Sequence, residues 1–235
     1  MKPCIFVAAG DISEEYFKAL TGTGPRPFIF GIDGGYRFLK EKGVKPDIVI
    51  GDFDSLGFVP DDPDTEVFPV RKDKPDTMLA IDRAKELMFD TAFVLGAFGG
   101  KRLDHTISNL QQLFYGLPAL RIVYLDDSTV SFALTNETAE ISDRKIRFFD
   151  NGDPGGKPSF TMPEAVTRLI RPSDCYLSIF TQSRAKVDLD GTAYDGTGIE
   201  LTGAFPLGVS NEMAAGTSTI AVRGEVTVML CRKDN

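Results

Sequence analysis

Short apolar runs alternate with segments whose apolar residues recur every three or four positions through roughly the first 145 residues. Runs at 4–8, 28–32, 48–50, 66–70, 92–95 and 121–125 read as strands. Most are near-continuously apolar, the pattern of a strand buried on both faces. Helices are predicted between them. One begins after Ser13, with Glu14 and Glu15 in its first turn and Gly22 past its end. A second covers 36–42 and stops at Gly43. A third covers 76–88, with Leu79, Ala80, Ala84, Leu87 and Met88 on one face. A fourth covers 103–115. Strand–helix alternation of this kind predicts a mostly parallel sheet with flanking helices.

The pattern changes after about residue 145. Residues 151–158 are rich in Gly, Pro and Asp and read as a turn-rich connection. Little helical periodicity follows. Segments 177–181 and 185–189 read as strands, and 219–222 and 225–230 alternate like a hairpin joined at Arg223-Gly224. The expected fold class is therefore α/β followed by β. Residues 1–145 form an α/β domain, and residues 146–235 an antiparallel β domain with a β-sandwich layout.

Composition narrows the chemistry. The chain has 235 residues, 42% hydrophobic and 26% charged, as expected for a soluble globular protein. Asp and Glu outnumber Lys and Arg by 34 to 26, a net charge of −8, which argues against a general nucleic-acid binder. One histidine excludes a zinc site built from several, and there is no Trp. Cys4, Cys175 and Cys231 are too widely spaced for a disulfide framework and are expected to be reduced thiols. The first apolar run is too short for a signal peptide, and no stretch approaches the ~20 residues of a membrane span. A cytoplasmic protein without membrane contact is expected.

Acidic residues concentrate between Asp47 and Asp76, with eight Asp and one Glu. Within that stretch Gly51-Asp52-Phe53-Asp54-Ser55 directly follows the apolar run 48–50. Ligands of open α/β sheets bind beyond the carboxyl ends of the strands. If the chain is still extended there, Asp52 and Asp54 point to the same side. Two carboxylates in one crevice repel unless a cation lies between them, and hard oxygen ligands favour Mg²⁺. A solvated acidic turn is the plainer alternative.

Two further segments belong with this one. Lys72-Asp73-Lys74-Pro75-Asp76-Thr77 interleaves acids and bases just before a helix. Capping accounts for its acids, but the lysines suit a metal–polyphosphate complex. Gly96-Ala97-Phe98-Gly99-Gly100-Lys101-Arg102-Leu103-Asp104-His105 links a strand to a helix. Its glycines allow backbone N–H groups to approach an anion, and Arg102 can grip a phosphate. It is not a Walker A loop, because no Gly-Lys-Ser/Thr ends it. Asp33-Gly34-Gly35 follows another strand and reads either as a site segment or as a simple turn.

Taken in order, these segments resemble the thiamine pyrophosphokinase family. The matching pieces are Asp33-Gly34-Gly35, Pro46-Asp47, Gly51-Asp52-Phe53-Asp54-Ser55, the Lys72–Asp76 cluster, Arg102-Leu103-Asp104-His105 with Asn109, and Gly208-Val209-Ser210-Asn211-Glu212. The resemblance implies an α/β catalytic domain that binds ATP and Mg²⁺, a thiamine-binding β-sandwich and a homodimer. It implies transfer of the pyrophosphoryl group of ATP to the thiamine hydroxyl, giving thiamine diphosphate and AMP. The metal-binding acids would be Asp52, Asp54, Asp73 and Asp76. Nucleotide contacts would fall on Asp33, Gly34, Gly35, Lys72, Arg102, His105 and Asn109, and thiamine contacts on Ser210 and Asn211. Asp54, Asp76, Arg102 and Asp104 would carry the catalysis.

Three departures from the family pattern stand out. Pro75 replaces the usual Thr, the glycine loop is one residue longer, and Tyr194 or a Phe must do whatever Trp does for the thiamine ring in some relatives. Two rival readings use the same residues: a metal-dependent phosphatase or hydrolase acting through Asp52 and Asp54, and a non-catalytic nucleotide or thiamine sensor.

Overall fold

The computed structural model describes the chain except residues 23, 55, 62–63, 70–72, 100–101, 152–155 and 234–235. It divides into two compact units, Met1–Asp127 and Ser128–Asn235. The change of architecture thus comes earlier than the expected boundary at 145/146. The reason lies in residues 129–141, whose apolar run resembles that of a parallel strand but whose pairings are antiparallel.

The first unit runs β1 (Pro3–Val7), α1 (Glu14–Thr21), β2 (Phe28–Ile32), α2 (Gly35–Glu41), β3 (Ile48–Gly51), β4 (Thr65–Val67), α3 (Asp76–Glu86), β5 (Thr91–Leu95), α4 (Leu103–Gly116) and β6 (Arg121–Leu125). The strands lie in the order β6-β5-β1-β2-β3-β4, and every neighbouring pair is parallel. Parallel strands need helical crossovers, which cover the sheet and explain the apolar runs. Phe6, Phe30, Val49, Leu95 and Val123 are fully buried. Ser13 caps α1 by accepting the Tyr16 N–H at 3.5 Å. The chain passes from β1 to β4 on one side, then crosses back to lay β5 on the other flank of β1. That reversal is the topological switch point, where open α/β sheets bind ligands.

The second unit runs β7 (Thr129–Thr135), β8 (Glu137–Ile141), β9 (Ile146–Asp150), β10 (Phe160–Thr161), α5 (Glu164–Ile170), β11 (Cys175–Phe180), β12 (Arg184–Asp190), β13 (Gly196–Thr202), β14 (Asn211–Glu212) and β15 (Ser218–Arg232). Its strand pairings are antiparallel. The expected hairpin at Arg223-Gly224 is replaced by one long strand, β15. Its first part pairs with β8 and β12, and its second with β7 and β11. Gly224, at φ +105°, supplies the bend between the two parts. Asn136 sits opposite: its side chain accepts the Gly224 N–H at 2.9 Å and its own N–H donates to the Gly224 carbonyl at 3.0 Å. Alternation continues on both sides of a bend, so periodicity cannot separate a bent strand from a hairpin. Helix α5 was not expected. At seven residues it spans about two turns, too few for a clear periodic signal. Phe132, Phe148 and Phe160 pack ring on ring, with centroids 4.8 and 4.9 Å apart.

Among the described residues no helix is long and apolar enough to cross a membrane. All three cysteines are free thiols. Cys4 and Cys175 are buried, and burial holds both thiols in the protonated form, Cys175 with a pKa pushed up to about 12 from 9.0. A raised pKa in the folded state gives stability that is intact below pH 9 and is lost as pH rises toward 12. Native protein at pH 8 should therefore resist iodoacetamide at Cys4 and Cys175, while urea-unfolded protein reacts at both, read by peptide mass spectrometry. Equal labelling with and without urea would contradict this burial.

Candidate active site

Asp33, Asp52 and Asp54 come together at the carboxyl ends of β2 and β3. One carboxylate oxygen of each lies within 4.8 Å of the others. Their convergence starts with the backbone. The Asp33 N–H donates to the Ile50 carbonyl at 2.8 Å, which ties the turn after β2 to the end of β3. Gly51 makes the approach possible, because a Cβ there would stand 3.0 Å from the Asp33 Cα. A side chain at this position would push the two strand ends apart.

The expected extended geometry around Asp52 and Asp54 does not hold. Strand β3 ends at Gly51, and Phe53 between the two acids has φ +59°. The pair converges through a turn rather than through strand alternation. Left-handed backbone at a bulky residue persists only where its surroundings hold it. Here the Phe53 ring is buried against Val49 and Leu56, with Tyr36 packed beside them. Asp33 is also left-handed, at φ +43°. The Asp54 N–H donates to the Asp52 carboxylate at 3.3 Å. Asp33 and Asp52 are half-buried and Asp54 is exposed, so the group opens to solvent on one side.

Three carboxylates with this spacing fit a hard divalent cation. Ligand oxygens around one octahedral Mg²⁺ sit about 3 to 4 Å apart. The largest separation here, no more than 4.8 Å, is close to that. The grouping includes Asp33, which the family resemblance implies as a nucleotide contact.

The other expected residues are distributed as follows. Asp76 is the first residue of α3 and is half-buried, Asp73 is exposed, and neither belongs to the three-carboxylate group. Lys72 lies outside the described residues, as do Ser55, Arg71, Gly100 and Lys101. Gly34 caps α2 and Gly35 begins it. Arg102 precedes α4 and forms a two-point ion pair with Asp104 at 2.9 and 2.6 Å, both side chains being exposed. The Arg102 hydrogen bond holds the Asp104 carboxyl down to about 2. His105 is exposed in the first turn of α4.

Asn109 is buried and its amide is engaged inside the fold. It donates to the Ala97 carbonyl at 2.6 Å, and its oxygen accepts from Gln112 at 3.2 Å. Its contribution is to fasten α4 to the loop after β5. In the second unit, the Ser210 N–H donates to the Ser178 hydroxyl at 3.1 Å. Asn211 is buried and grips both backbone groups of Tyr194, accepting its N–H at 3.1 Å and donating to its carbonyl at 3.2 Å. The Tyr194 ring is left 73% exposed.

The sequence pattern passed over the loop after β1. Its Gly10 and Asp11 N–H groups donate to the Gly96 and Phe98 carbonyls, both at 2.9 Å, across the switch point. Gly99, at φ +80°, leaves room for the Asp11 carboxylate, which would stand 2.0 Å from a Cβ there. At least part of the glycine content of this loop therefore serves loop packing. Asp47, by contrast, lies at the amino end of β3. It accepts two hydrogen bonds from Arg26 at 2.7 and 2.8 Å and one from the Ile29 N–H at 2.8 Å.

Comparison with known proteins bears on the first unit above all. Residues 25–124 match the family model described as thiamin pyrophosphokinase, catalytic domain.

All three converging carboxylates, together with Arg102, Asp104, His105 and Asn109, lie inside that match; Ser210 and Asn211 lie outside it. The thiamine pyrophosphokinase of Bacillus subtilis (strain 168) is 33% identical over 124 residues, which cover 50% of this chain and 56% of that protein. The chain thus spans little more than half the length of the curated relative it matches. The fold is similar to that of crystal structures described as thiamine pyrophosphokinase from Bacillus subtilis (TM-score 0.74, 22% identity, 99% of this chain and 100% of that one) and from Geobacillus thermodenitrificans (TM-score 0.71, 24% identity, 99% and 98%). A more distant one is that from Candida albicans (TM-score 0.68, 14% identity, 98% and 90%). At these identities the structures establish the fold.

A divalent cation should bind at the three-carboxylate group in the absence of nucleotide. Titrated with Mn²⁺ and followed by electron paramagnetic resonance, the wild-type protein should bind, and Asp33→Asn and Asp54→Asn should each weaken binding by at least ~10-fold. Unchanged affinity in both variants would remove the cation from this group.

Proposed function

We propose that the protein transfers the pyrophosphoryl group of ATP to the hydroxyl of thiamine, giving thiamine diphosphate and AMP. The observation that carries this reading is the match over residues 25–124, because it contains the three converging carboxylates. In this reading the thiamine oxygen bonds to the β-phosphorus, and the bond from that phosphorus to the oxygen bridging it to the α-phosphorus breaks. AMP leaves with that oxygen, and the hydroxyl proton passes to a nearby base.

Positioning and charge neutralisation supply most of the catalysis of such a transfer. Asp33, Asp52 and Asp54, with Asp73 before α3 and Asp76 at its start, would hold Mg²⁺, which when bound offsets the charge of the polyphosphate. Arg102 is the natural cation for the leaving side. Its partner Asp104 keeps the guanidinium oriented at the start of α4 until a phosphate oxygen competes for it.

The second unit takes the thiamine in this reading, through Ser210, Asn211 and Tyr194. Asn211 fixes the backbone of Tyr194, and exposed Phe205, Leu207 and Val209 precede Ser210 along the chain. An exposed aromatic face suits a cationic thiazolium ring. We take the two groups of strands joined by β15 as the layers of a β-sandwich, supported by the Phe132–Phe148 ring contact. The reading also places the enzyme in the cytoplasm, paired with a second copy of itself.

Purified protein supplied with ATP, Mg²⁺ and thiamine should form AMP and thiamine diphosphate in equal amounts, and Asp54→Ala should lower the rate by ~100-fold or more. Formation of ADP would make it an ordinary kinase. Phosphate release from monoesters without ATP would favour a phosphatase. Separately, Tyr194→Ala should raise the KM for thiamine by ~3- to 30-fold with a smaller change in kcat, and Tyr194→Phe should stay near wild type. An unchanged KM in the alanine variant would exclude the ring from thiamine binding.

A further inference from the structure

Lys74 lies between Asp73 and Asp76, where its charge looks suited to a phosphate oxygen. The structure engages that charge elsewhere. Its ammonium donates to the Asp82 carboxylate at 2.6 Å and to the Tyr115 hydroxyl at 3.1 Å. The Tyr115 hydroxyl in turn donates to the other Asp82 oxygen at 2.7 Å, closing a three-membered ring of hydrogen bonds. Asp82 is on α3 and Tyr115 on α4, so the ring joins the entry loop of α3 to two helices. Lys85 secures Tyr115 from a further direction, donating to its carbonyl at 2.7 Å with the ammonium 4.3 Å from its ring centroid.

This ring acts at the start of α3. Pro75 occupies the capping position and makes no side-chain capping bond. It also has no N–H to offer. Its carbonyl accepts from Met78 and Leu79, bonds internal to the first turn that leave the direction of the incoming chain undetermined. Next to Pro75 in the chain, Lys74 is tied to α3 and α4 by its two hydrogen bonds, which sets the direction of the incoming chain. The electrostatics agree with the geometry. Both partners raise the Lys74 pKa, chiefly Asp82, and for Asp82 the hydrogen bonds from Lys74 and Tyr115 outweigh burial and hold its carboxyl low.

We infer that Lys74, Asp82 and Tyr115 form a clamp that positions the Asp73–Asp76 loop for the metal–polyphosphate substrate. Lys74 acts as a positioning residue and does not contact phosphate itself. This inference rests on the proposed pyrophosphoryl transfer and assigns to that site three residues with one shared task.

The test compares Tyr115→Phe, Asp82→Asn and Lys74→Met in the full-length protein. Tyr115→Phe keeps the ring and its packing, so it isolates the hydroxyl. A clamp predicts that all three variants weaken Mn²⁺ binding without nucleotide by about 10-fold, the scale seen when groups that orient metal ligands are removed. It also predicts a matching rise in the Mg²⁺ concentration for half-maximal AMP formation, a smaller change in kcat, and a double variant no worse than either single one. A purely structural role would lower the melting temperature and leave Mn²⁺ affinity unchanged, which would overturn the proposal. Direct phosphate contact by Lys74 would raise the KM for ATP in Lys74→Met alone and would also overturn it. If wild-type protein forms no AMP, the proposed function fails; the Mn²⁺ titration still decides the clamp.

Discussion

Mutual repulsion among Asp33, Asp52 and Asp54 is the constraint around which the first unit is arranged. Like charges this close repel, so something must hold the backbone beneath them. The parallel sheet does so. β2 and β3 are paired along their length, their ends are joined by the Asp33–Ile50 bond, and Gly51 lets the two turns touch. The buried Phe53 ring then fixes the turn between the last two acids. Apolar packing holds polar groups in an arrangement they would not adopt alone.

Much of the first unit was legible in the sequence because its elements signal themselves locally. Ser13 followed by two glutamates marked α1, and continuous apolar runs marked strands buried on both faces. The candidate site was legible only in part. Asp52 and Asp54 stood out after a buried strand, but their meeting with Asp33 depends on strand order, which no local pattern encodes. For the same reason Lys74 looked like a phosphate ligand. Its true partners lie eight and forty-one positions along the chain, on two different helices. The second unit was harder still. A bend at Gly224 and a tight turn look alike in sequence, and α5 is too short to announce its period.

The net charge of −8 also takes on a different shape in three dimensions. Acids that crowd the sequence between Asp47 and Asp76 have separate employments. Asp47 secures Arg26 and the start of β2, and Glu66 pairs with Arg83 at 3.0 Å. Asp52 and Asp54 turn instead toward Asp33. Acid density along a chain is thus a poor measure of acid density in space.

The bend in β15 has a consequence for how the second unit is held together. Nearly every part of that strand is hydrogen-bonded on both flanks, to β8 and β12 before Gly224 and to β7 and β11 after it. The same strand is thus the central strand of both groups. The two groups are therefore bound through one shared strand, with Asn136 and Gly224 as the bolt at its middle.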